Sequence, residues 1–107
     1  MTSTPITSVN LVTGTSENVT IVDENGVALP DSSIAWSVVA GTLTFGTSGI
    51  AQNLIITQDS VHGGFNFAAM SAGVGTMRAT HGPSGKTTDL PVTLTNSVTS
   101  ISAVSVT

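Results

Sequence analysis

Short runs rich in Val, Ile and Thr recur along this chain roughly every ten residues, each closed by Gly, Pro, Asn, Asp or Ser. No stretch of eleven residues places apolar side chains at helical spacing between capping residues. β-branched side chains restrict their own rotamers in a helix and pack well on a pleated surface. The pattern therefore predicts strands over 6–13, 17–23, 34–40, 42–46, 50–57, 64–70, 74–81 and 88–95, and 97–106 could form one more. Seven to nine strands joined by tight turns indicate an all-β antiparallel sandwich. One domain is expected over residues 1–107, with its core in about 6–95 and a β-prone tail over 97–107.

Alternation along each run assigns the faces. Val19 and Ile21 are expected to point inward, with Asn18 and Thr20 outside. Ile34, Trp36 and Val38 share one face. Met77 and Ala79 share another, which leaves Thr76, Arg78 and Thr80 in water. Phe65 with Phe67, and Leu90 with Val92 and Leu94, repeat the pattern.

The only Trp follows two breaks. "DENG" (Asp23 to Gly26) carries an Asn-Gly pair suited to a tight turn. "LPDSS" follows, where Pro30 removes a ladder donor. Trp36 then falls in the middle of the next run. An indole there can span the roughly 10 Å between two packed sheets. With no Cys available to bridge the layers, Trp36 is assigned as the core pin.

Composition narrows the function. Lys86 and Arg78 are the only Lys and Arg, and the net charge is −4. A nucleic-acid binder needs a basic stripe to displace counterions, and an anionic membrane surface makes a similar demand. Neither partner is expected. The N-terminus lacks the basic and apolar regions of a signal peptide, and no apolar run is long enough for a membrane-spanning helix. The chain has 18 Thr and 14 Ser, 32 of its 107 residues. Such a hydroxyl-rich, charge-poor surface correlates with extracellular or virion-exposed β proteins.

Two stretches resemble a known family. "VDENGVALPDSSIAWSV" is similar to the part of bacterial immunoglobulin-like domains where a D-x-x-G turn leads into a Trp-bearing strand. "GVGTMRATHGPSGKTTDLPVTLT" resembles their closing hairpin. Together they cover about residues 17–95. The resemblance implies an Ig-like sandwich, used as a scaffold for adhesion and display in surface adhesins and tailed-phage virion proteins. It brings no catalytic residues with it. The middle stretch "GTSGIAQNLIITQDSVHGGFNF" is longer and more irregular than the family pattern.

Motifs that touch on chemistry have plainer explanations. "HGPSGKTTD" ends like a phosphate-binding loop, but Thr80 stands where the first Gly belongs and a strand follows where a helix should. A hairpin loop is expected. Asp23, Glu24, Asn25 and Asp31 could converge as calcium ligands, although their spacing matches no EF-hand; no metal or other cofactor is assigned. His62 and His81 lie beside Gly-containing turns, and no G-x-S-x-G elbow accompanies them. No catalytic residue is assigned, and no enzymatic activity is expected. Asn18-Val19-Thr20 is a glycosylation sequon read as incidental.

The tail "NSVTSISAVSVT" is apolar, hydroxylated and uncharged. It suits pairing with its own sheet, addition to a neighbouring subunit, or a link to a further repeat. With one Lys in the chain, edge protection is scant, and a partner chain is expected over at least one edge. Phe45, Ile50, Leu54, Ile55, Val98, Ile101, Val104 and Val106 are the candidate interface. The start at Met1 without an export signal suits a complete small virion protein. The expected function is thus a phage capsid decoration or cement protein at the virion surface. Its partners would be the major capsid protein or copies of itself. The alternative is a spacer repeat of a bacterial surface adhesin; a carbohydrate-binding sandwich would instead need a row of exposed aromatics.

Overall fold

The computed structural model describes residues 6–47, 52–98 and 100–105. Among these, eight strands form two four-stranded sheets, with one 3-10 turn at Asp31–Ser33 and no α-helix. The strands are β1 (Val9–Val12), β2 (Ser16–Val19), β3 (Ile34–Gly41), β4 (Phe45–Gly46), β5 (Leu54–Gln58), β6 (Phe65–Ala69), β7 (Gly73–His81) and β8 (Thr87–Thr95). One sheet is ordered β1-β8-β7-β3 and the other β2-β6-β5-β4. The set β3, β7, β8 facing β2, β6, β5 is the strand order of an immunoglobulin-type sandwich.

The pairing is not wholly antiparallel, as the sequence reading had it. β1 runs parallel to β8, with Val9 opposite Val92, and β4 runs parallel to β5, with Phe45 opposite Leu54. Parallel neighbours normally need a long connection. Between β1 and β8 nearly the whole sandwich intervenes, so that pairing is long-range and leaves no local trace. Three other expectations are corrected. The second run stops at Val19, and the chain continues as a single Val22–Ala28 bridge around the Gly26 turn. The fourth shrinks to Phe45–Gly46. The tail adds no ninth strand among its described residues.

The short fourth strand has a local cause. β3 carries a bulge between Val38 and Ala40 and ends at Gly41, whose φ is +87°. A Cβ at Gly41 would collide with the Gly75 Cα and the Val74 carbonyl oxygen. That close approach turns the chain out of one sheet and lets Leu43 drop into the core at 5% exposure.

The alternating faces hold. Val19, Phe65, Phe67, Met77, Ala79, Leu90, Val92 and Leu94 are buried, and Ile21, Ile34 and Val38 pack against them half-buried. Two assignments change. Leu54, expected on a docking surface, is fully buried, because β5 points Leu54 and Ile56 inward and leaves Ile55 half-exposed. An apolar run such as "NLII" hides which phase faces the core. Trp36, assigned as the core pin, packs against the core and meets Phe65 and Phe67 of the facing sheet, but it stays only half-buried because β3 is an edge strand. The centre belongs to Phe67, the largest side chain that is fully buried.

Candidate functional site

Four strands end the two sheets: β1 and β3 in one, β2 and β4 in the other. β1 and β2 have four residues each and β4 has two, whereas β3 has eight. Short edges resist pairing with foreign strands; a long uncharged edge invites it. β3, "IAWSVVAG", has no charged residue and no Pro.

The register of β3 fixes which backbone groups are free. The Gly82 amide donates to the Ser33 carbonyl at 2.9 Å. In an antiparallel ladder, bonded and non-bonded pairs alternate. Ala35 and Ser37 therefore bond toward β7, opposite Thr80 and Arg78. The amides and carbonyls of Ile34, Trp36 and Val38 point away from the sheet. The Val38–Ala40 bulge ends this regular stretch.

Beside that edge the sandwich opens into a cleft of about 430 Å³, lined by Trp36, Phe45, Ile56, Gln58 and Phe65 among others. The Trp36 ring stands edge-on to Phe65 and Phe67, with centroids 5.5 and 4.9 Å away. Its Nε1–H is buried and has no hydrogen-bond partner among the described residues. A buried donor without an acceptor carries a desolvation cost. Val39 on β3 is also an exposed apolar side chain.

Three loop carboxylates, those of Asp23, Asp31 and Asp59, are engaged with the chain itself. Asp23 Oδ1 accepts the amides of Asn25 and Val27, both at 2.9 Å, which closes the expected turn. Asp31 accepts the Gly64 amide through both oxygens, at 3.2 and 3.0 Å. Asp59 accepts the amides of His62 and Val61, with His62 Nδ1 at 3.1 Å. The His62 amide, above all, holds the Asp59 carboxyl down to about 2. Asn18 Nδ2 donates to the Gly63 carbonyl at 2.9 Å, so the sequon nitrogen is tied into this loop. A second cleft, of about 330 Å³, lies among Thr20, Pro30, Asp31, His62 and Gly64. Sequence reasoning missed the Asp31–Gly64 and Asn18–Gly63 links, which join residues far apart in the chain. The Asp59 turn was missed as well, although an Asp two and three residues before its amide donors is the signal of an Asx turn.

Asp23 and Asp31 thus tie down separate loops. Among the described residues no three His, Cys, Asp or Glu side chains are grouped to hold a metal ion. "HGPSGKTTD" is the β7–β8 hairpin: the His81 amide donates to Lys86, the Gly85 amide donates to His81, and Gly85 has φ +71°. Across the same hairpin Arg78 makes a two-pronged ion pair with Asp89, at 2.8 and 3.1 Å.

The expected interface residues divide. Phe45 lines the β3 cleft and Ile55 lies half-exposed on β5. Val98 is 60% exposed and Ile101 and Val104 are each 90% exposed, all on the segment after β8. Ile50 and Val106 lie outside the described residues. The structure brings Phe45 and Trp36 together; the tail residues stand apart from both. No family model matches this chain, and neither does any curated protein or solved structure compared with it.

Proposed function

We propose that this chain is a non-enzymatic structural protein of the bacterial immunoglobulin-like kind, decorating or cementing a phage capsid. The observation that supports this reading is the β3 edge: long, uncharged, and bordered by an apolar cleft. An edge of that kind binds by backbone hydrogen bonds, and the cleft adds apolar burial. Each copy needs only weak attachment when many copies repeat over a lattice and neighbours support one another. Hydroxyl groups keep the remaining surface wet without the charges that would repel neighbouring copies.

The test is direct. The purified protein is mixed with undecorated capsids and imaged by electron microscopy. Regular added density at equivalent lattice positions is the expected result, and bare capsids at saturating protein sink the proposal. Phe45→Ser with Ile55→Ser should weaken that decoration; because Phe45 packs half-buried against the core, the variant should also melt somewhat lower, and circular dichroism must first show it folded.

A second reading, a spacer repeat of a bacterial surface adhesin, is favoured by the extended, exposed segment after β8. Two copies joined in tandem through that segment would then keep a fixed spacing in small-angle scattering.

A further inference from the structure

We propose that the chain following β8, at the described residues 96–98 and 100–105, is a donor strand that adds to the β3 edge of a second copy of this chain. The inference rests on the structural-protein reading and deepens it by naming the partner of the β-edge.

Three observations carry it. First, the donor is presented. The structure is 63 Å long but only 31 by 23 Å across, and its radius of gyration is 16.0 Å. A compact chain of this length would have about 13 Å. The molecule is thus longer than a compact sandwich of this size, and Val98, Ile101 and Val104 on that segment are exposed.

Second, the segment is steered away from its own β3. The Ser97 amide donates to Thr13 Oγ1 at 3.0 Å, and the two hydroxyls lie 3.2 Å apart. Thr13, next to β1, in turn donates its amide to the Thr95 carbonyl at 2.8 Å. The chain is thereby held on the β1 side of β8, and β3 is at the opposite end of that sheet. A second copy has no such restraint.

Third, donor and acceptor suit one another. β3 has eight residues, and the donor is long enough to cover them. Neither segment carries a charge. As a strand, the donor sets Ile101 and Ala103 on one face and Val98 and Val104 on the other. Pairing with the outward groups of Ile34, Trp36 and Val38 extends the sheet, and one apolar donor face closes over the cleft beside Trp36 and Phe45. The contact is head-to-tail, so it builds rings or open chains rather than a closed two-fold dimer.

The test uses two full-length variants and no capsid. Ala35→Lys with Val39→Lys places charges on exposed β3 positions and blocks the acceptor. Ile101→Asp with Val104→Asp blocks the donor; Ile101→Ser with Val104→Ser is a milder second form. Unchanged circular dichroism confirms that each variant is folded. Light scattering should give masses above the monomer for the wild-type chain, rising with concentration. Each variant alone should stay monomeric. Their equimolar mixture should double the mass and stop there, because one donor and one acceptor remain. A wild-type chain that stays monomeric up to about 1 mM, a mixture that stays monomeric, or a blocked variant that associates like wild type overturns the proposal. Capsid decoration without self-association would overturn this inference alone; self-association without decoration would overturn only the capsid reading.

Discussion

The two sides of this sandwich are finished differently. On one side, β1 and β2 are matched in length, four residues each, and joined by the turn at Thr13–Thr15. That turn is stitched to both sheets: Thr13 donates to Thr95, Gly14 donates to Ala69, and Ala69 donates to Thr15. On the other side, an eight-residue strand stands across from a two-residue one. Near Gly41 the gap is bridged, because Thr42 bonds to Val74 and Thr44 receives the Leu54 amide. Farther along β3, no strand of equal length among the described residues faces it, and the cleft opens there. Equal edges close a sandwich, whereas unequal ones leave backbone and apolar surface over. The excess surface is what a partner can use.

The sharpest way to break this comparison is to set a central truncation against one at the rim. Phe67→Ala removes a fully buried ring and should lower stability by about 3–5 kcal/mol in chemical denaturation. Gly41→Ala should follow, at about 3 kcal/mol, because a Cβ meets backbone at a positive φ. Trp36→Ala should cost less than Phe67→Ala, about 2–3 kcal/mol, since its ring is half-exposed. Equal losses for Phe67 and Trp36 would erase the distinction between centre and rim. Trp36→Phe sharpens the point. It keeps much of the apolar contact and removes the unpaired N–H, so its unfolding free energy should stay within about 1 kcal/mol of wild type.

The smallest effect belongs to the loops. The Asp59 carboxyl is pulled from its ordinary 3.8 to about 2 by the His62 amide first and by His62, Val61 and Asn66 bonds besides. A depressed folded value stabilises above the unfolded one, and the gain is lost as pH falls through about 2. The melting gap between wild type and Asp59→Asn should therefore be widest near neutrality and shrink in acid. A gap constant down to pH 2 would show that the carboxylate charge contributes nothing to this loop.

Much of this fold was legible because burial alternates along single strands. Val19, Met77, Ala79, Leu90, Val92 and Leu94 all face inward as their neighbours' polarity dictates. Leu54 misled because three apolar residues in a row, Leu54 to Ile56, carry no phase. Trp36 misled because a large ring signals contact with the core but not whether its strand is central or at an edge. That difference depends on which strand lies beside β3, and the β7 pairing is set tens of residues away. The parallel partner of β1 was illegible for the same reason. The candidate site is a product of such long-range choices: its residues, Trp36 and Phe45, were visible, but the cleft between them follows from unequal strand lengths.

The position of the single indole has a practical outcome. The chain has no Tyr, so ultraviolet-excited emission arises almost wholly from Trp36, whose ring lines the open cleft. Any strand or shell surface that seals that cleft must shift the colour of its light, which makes the protein its own optical gauge of occupancy.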